Sequence, residues 1–199
     1  TALEQLLVHV SLALRDPATT ALTTAFLRQI RLLIPANCRE KVRIAIAPDF
    51  LSGAGPNGGG TDSFGANDNV RGKIQGLADS QVMGDVKAAA DYVAKLPAAN
   101  GKVVVGGFCW GGAKTFNYAV TGADFKAGLV FYGSAPKPEQ MAAIKAPIYG
   151  FYGGNDARIT AAVPEVTTQM KAAAKTFDPV TYEGAGHGFM YYHTQLYRQ

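Results

Sequence analysis

Cysteine is almost absent from this chain. Cys38 and Cys109 are the only two in 199 residues, and neither belongs to a C-x-x-C pair. That count and spacing exclude a disulfide framework and a thiolate zinc site. Histidine is nearly as sparse, with His9, His187 and His193 alone, and no two of them have the H-E-x-x-H spacing of a zinc protease. Long apolar runs are missing too, since none approaches the roughly 20 residues that cross a bilayer. Lys and Arg outnumber Asp and Glu by 19 to 15, a net +4, but they are scattered rather than gathered into a run that would track nucleic acid or anionic lipid. Neither nucleic acid nor a membrane is expected as a partner, and the positive balance biases the chain at most towards small anionic ligands. A phosphate loop is excluded as well: G-x-x-x-x-G-K-[ST] needs glycine directly before the lysine, and Ala113 separates Gly112 from Lys114. No metal or cofactor is called for. The chain starts at Thr1 without a basic-then-apolar leader, so a processed or truncated start is open. A cytoplasmic location is expected, with a periplasmic one open.

What is present suffices for a folded core. Apolar residues make up 48% of the chain, and 199 residues fit one domain spanning 1–199, since a single core organises about 100 to 200. From residue 40 onward strand and helix patterns alternate, which predicts an α/β fold with a mostly parallel central sheet and helices on both faces. Arg43 to Ala47 reads as a strand stopped by Pro48. Residues 52 to 69, rich in Gly, Asn, Ser and Asp, read as an irregular loop. Asp79 or Ser80 caps a helix whose apolar positions Val82, Val86, Ala89, Ala90, Val93 and Leu96 recur at helical steps before Pro97. Strands are then expected at Lys102 to Gly106, Gly128 to Tyr132, Pro147 to Tyr152 and Val180 to Glu183. Helices are expected at about Gly112 to Val120, closed by Gly122, and at about Thr160 to Lys175, where Pro164 is tolerable only in the first turn.

The segment Gly107-Phe108-Cys109-Trp110-Gly111-Gly112 puts a cysteine on a strand-to-helix turn. G-x-C-x-G is the spacing of a nucleophile elbow, where side chains at the flanking glycines are expected to collide with nearby backbone. The turn places the sulfur at the positive end of the following helix, which favours the reactive thiolate. The plainer alternative is a structural cysteine in a tight turn. Order along the chain weighs against it. Cys109, Asp156 and His187 each lie just past the C-terminal end of an expected strand, and in a parallel sheet those ends share the edge where α/β folds bind ligands. Nucleophile, acid, histidine is also the chain order of the α/β-hydrolase arrangement. In that reading His187 takes the thiol proton, Asp156 orients the imidazole, and the backbone N–H of Trp110 is one oxyanion donor. Asp178 is a rival acid but precedes its strand. Asp49 sits at the correct edge but comes before the nucleophile.

Taken together, GFCWGG at 107–112, YGGND at 152–156, YEGAGHGF at 182–189 and APDF at 47–50 resemble the dienelactone hydrolases over about residues 42 to 190. The resemblance implies an α/β-hydrolase fold and the triad Cys109, Asp156 and His187. It also implies cofactor-independent hydrolysis, through a thioester, of a small lactone or ester such as the enol lactone 4-carboxymethylenebut-2-en-4-olide. Residues 1 to 40 diverge from the family pattern. The family's His-Glu-Asn loop finds its nearest echo in Leu7-Val8-His9-Val10-Ser11, which makes Ser11 the candidate second oxyanion donor. The family's substrate-carboxylate arginine past the histidine is replaced by Gly188-Phe189-Met190-Tyr191, leaving Arg71 and Arg158 as candidates. The C-terminal helix usual in the family is expected beyond Gln199. A monomer or small homo-oligomer is expected. A non-catalytic scaffold binding a small molecule or protein, and a thiol-based acyltransferase, stay open as alternatives.

Overall fold

The computed structural model describes residues 44–65 and 68–190. Contacts group these into two compact units, 44–101 and 102–190. In the first, Ile44 forms a β-bridge and 45–49 have no regular structure, so of the described residues in the strand expected over 43–47 only Ile44 pairs. The Gly-rich stretch is irregular as expected, and Asp49 braces it. The Asp49 carboxylate accepts the Leu51 N–H at 3.0 Å, the Thr61 N–H at 2.7 Å and the Thr61 hydroxyl at 2.6 Å.

Helix α1 (Val70–Gln75) is capped by the Asn69 side chain, which accepts the Gly72 N–H at 2.8 Å. Helix α2 (Asp79–Ala94) has Ala78, not Asp79 or Ser80, as its N-cap. Asp79 instead lies in the first turn, where its charge complements the positive helix end.

The second unit carries four parallel strands in the order β1 (Val104–Phe108), β2 (Ala127–Phe131), β3 (Ile148–Gly153) and β4 (Phe177–Tyr182). Every residue of β2 is buried, which is why AGLVF shows no polar alternation: a central parallel strand is covered on both faces. The connections contain α3 (Trp110–Val120) between β1 and β2, a 3₁₀ turn (Pro138–Ala143) between β2 and β3, and α4 (Ala157–Thr160) with α5 (Val163–Ala172) between β3 and β4. All three crossovers step in one direction, so right-handed connections put them on a common face. Consistent with this, α3 and α5 both pack against the 3₁₀ turn.

The helix expected over about 160–175 starts at Val163, after the separate short α4, because Pro164 would clash with the carbonyl of residue 160 in a helix continuous from α4. The break places Pro164 in the first turn of α5. Strand β4 starts earlier than expected, so Asp178 lies within it, opposite Tyr149, near the N-terminal end and away from the edge that carries Asp156. Across the sheet, Phe108, Phe131 and Phe151 share one register row. Their rings stack at 4.6 Å for each neighbouring pair, forming an aromatic floor at the last residues of β1 and β2 and two residues before the end of β3.

Candidate active site

Strand β1 runs to Phe108 and α3 begins at Trp110, so the chain reverses within Cys109 alone. That reversal requires φ 52° and ψ −117° at Cys109. A non-glycine residue held there costs on the order of 1–3 kcal/mol. The turn is pinned by the Cys109 N–H donating to the Phe131 carbonyl at 3.0 Å and the Ala113 N–H donating to the Cys109 carbonyl at 3.1 Å. A Cβ on Gly107 would lie 2.3 Å from the Gly111 carbonyl carbon and oxygen, and one on Gly112 would lie 2.8 Å from the Phe131 carbonyl oxygen. Gly111 differs from the sequence expectation, because a Cβ there meets nothing within 4 Å. Its backbone, rather than its own missing side chain, is what excludes a larger residue at 107.

Cys109 is exposed and caps α3. Its Sγ lies 3.0 Å from His187 Nε2, and His187 Nδ1 lies 2.5 Å from Asp156 Oδ2. Asp156 is buried, 6% exposed, so its carboxylate depends on that imidazole contact for compensation. The loops carrying acid and histidine are stitched together. The Gly154 N–H donates to the Tyr182 carbonyl at 2.9 Å, the Asn155 N–H to the Ala185 carbonyl at 2.9 Å, and Asn155 Nδ2 to the Gly184 carbonyl at 3.0 Å. Glycine is required at 153, where a Cβ would fall 2.6 Å from the Ala185 carbonyl oxygen.

Tyr132 completes the cluster. It directly follows β2, has φ 40° and is only 2% exposed. Its ring meets His187 edge-on at 5.1 Å and Phe189 at 5.3 Å. Burial, and secondarily the charge of Cys109, push its phenol above the ordinary tyrosine range. Tyr132 carries no local sequence signal of a site role, because the apolar run Gly128 to Tyr132 reads as strand to its last residue. Ending the strand one residue earlier would have placed it beside Cys109, Asp156 and His187 by the same strand-end rule. Asn155 likewise reads as loop composition.

The structure thus gathers Cys109, His187 and Asp156. Trp110 opens α3, beneath the Lys114 ammonium at 5.2 Å from its ring centroid. Arg158 is exposed on α4, two residues past Asp156, and Arg71 is exposed on α1 in the other unit. Ser11, with Cys38, His9 and His193, lies outside the described residues. No helix among the described residues is long and apolar enough to cross a membrane.

A parallel sheet with a helix-capping elbow and an acid and a histidine at later strand ends defines an α/β hydrolase. Residues 43–198 match the model of the dienelactone hydrolase family, and the chain belongs to that family. A protein of Methylorubrum extorquens named "Putative carboxymethylenebutenolidase" is 38% identical over 128 residues, 58% of this chain and 44% of that one. An Escherichia coli protein of the same name is 33% identical over 162 residues, 73% of this chain and 57% of that one. The chain spans about half the length of the curated relatives it matches. Among solved structures, "Putative Dienelactone Hydrolase" from Klebsiella pneumoniae superposes with a TM-score of 0.63 at 27% identity, covering 83% of this chain and 72% of that one.

Proposed function

We propose that the chain is a cofactor-independent hydrolase of small lactones or esters, with Cys109 as nucleophile, His187 as general base and acid, and Asp156 as orienter. The observation carrying this reading is the unbroken relay from Sγ through the imidazole to a buried carboxylate, 3.0 Å and then 2.5 Å. Cys109 gives its proton to His187 Nε2 and its sulfur attacks the carbonyl carbon. The resulting oxyanion is held by the Trp110 N–H at the start of α3, with further donation from a residue outside the described segments, for which Ser11 is the candidate. Collapse breaks the carbon–oxygen bond, the departing oxygen takes the proton from His187, and a thioester remains. Water, deprotonated by His187, then releases the acid and the free thiol.

The exposure of Cys109 leaves the thioester open to water, as hydrolysis requires. The names of the relatives support an enol lactone as substrate class, and Arg158 is the candidate for a substrate carboxylate. The test is hydrolysis of p-nitrophenyl acetate and of an enol lactone by the wild type, Cys109→Ala and His187→Ala. Each substitution is expected to remove several orders of magnitude of kcat/KM. Undiminished turnover in either variant sinks the reading.

A further inference from the structure

Tyr132 holds a buried polar group that the proposed mechanism leaves unused. Its side chain is 2% exposed, yet no backbone or side-chain group among the described residues pairs with its hydroxyl. A buried hydroxyl without a partner is rare, and each one needs an explanation. The residue is also held at φ 40°, a strained conformation that persists only where the surroundings enforce it. Here the surroundings are the site itself. Phe108 and Phe131 are opposite one another in register, so Cys109 and Tyr132 leave adjacent strands side by side. The Phe131 carbonyl that precedes Tyr132 accepts the Cys109 N–H. On its other side the phenol ring stands edge-on to His187, while the Trp110 N–H lies on the helix side of the nucleophile.

We propose that the Tyr132 hydroxyl is a substrate-facing donor on the imidazole side of Cys109, completing its hydrogen bond only when an ester or lactone oxygen arrives as the leaving atom. This rests on the cysteine-hydrolase reading above. As the carbon–oxygen bond breaks, charge develops on the departing oxygen. The Tyr132 O–H stabilises that charge while His187 delivers the proton, and Tyr132 keeps its own proton throughout. The raised phenol supports this role, since a group that stays protonated across the working range remains a donor. Chemically, the site therefore favours substrates with poor, alkoxide-like leaving groups over those whose leaving group departs without help.

Tyr132→Phe removes the hydroxyl and keeps the ring contacts with Phe108, His187 and Phe189. The measurement is kcat/KM for p-nitrophenyl acetate and for trifluoroethyl acetate, with the thermal midpoint of each protein, alongside Cys109→Ala. Expected are an unchanged or higher midpoint, because an unpaired buried hydroxyl is lost, and a decline of about tenfold or more with the alkyl ester. The aryl ester should change by less than about threefold. No loss, an equal loss with both esters, or a loss accompanied by a lower midpoint would overturn the proposal. Full activity in Cys109→Ala would instead overturn the underlying hydrolase reading, so the two failures are told apart.

Discussion

Asn155 Nδ2 donates to the carbonyl of Gly184 at 3.0 Å, and through that bond the residue preceding the acid is tied to the turn preceding the histidine. The backbone bond from Asn155 to Ala185 doubles the link. Asn155→Ala should therefore lower kcat several-fold through looser His187 placement, with a stability loss of about 1 kcal/mol. Asn155→Asp should be worse than alanine, since it sets a carboxylate against a carbonyl oxygen. Steady-state kinetics and urea melts of the two variants check this; wild-type kcat and stability in Asn155→Ala would show that the side-chain donor is immaterial.

The glycines of the elbow are not equivalent. Gly107→Ala drives a Cβ into the Gly111 backbone at 2.3 Å, a clash no side-chain adjustment relieves, and should destabilise by more than about 3 kcal/mol or abolish folding. Gly111→Ala faces open space on a helix and should be neutral or stabilise by up to about 1 kcal/mol. Thermal melts of both variants decide it, and a tolerated Gly107→Ala would contradict the turn geometry.

This pair also marks how far the sequence could be read. The order of elements, and the placing of Cys109, Asp156 and His187 beyond strands of one parallel sheet, were legible because strand periodicity and turn residues are local signals. The role of Gly111 was not, since G-x-C-x-G cannot say which partner of a mutual contact lacks room. Pro164 is confined to a first turn, as its chemistry requires, yet the short helix Ala157–Thr160 that precedes it carries no local signal of its own. Tyr132 stayed hidden because strand boundaries are uncertain by a residue or more, and one residue here separates a core side chain from a site side chain.

The Phe131 ring is fully buried between Phe108 and Phe151, and its carbonyl accepts the Cys109 N–H. Phe131→Ala should cost about 3–5 kcal/mol, whereas Phe131→Leu should cost clearly less and preserve most activity. Denaturant melts paired with kcat/KM check the ranking. An alanine variant of wild-type stability would show that the aromatic floor is dispensable.

Tyr132 and Tyr152 both have phenols pushed up by burial. The unfolded chain ionises tyrosine near about pH 10, so the folded state holds these protons where the unfolded state releases them. Their contribution to stability is full below about pH 10 and falls as the pH rises past it towards the raised folded values. Urea melts between about pH 8 and about pH 11 should show an alkaline decline, shallower in Tyr152→Phe. Stability that is flat or rising across that range would contradict the assignment.

The most direct test of Cys109 as nucleophile is acid-quenched peptide mass spectrometry after mixing with p-nitrophenyl acetate. An acetyl group on the peptide containing Cys109, absent in Cys109→Ala and strongly reduced in His187→Ala, is the predicted result. Turnover without any adduct on that peptide, or an adduct confined to another residue, would contradict it.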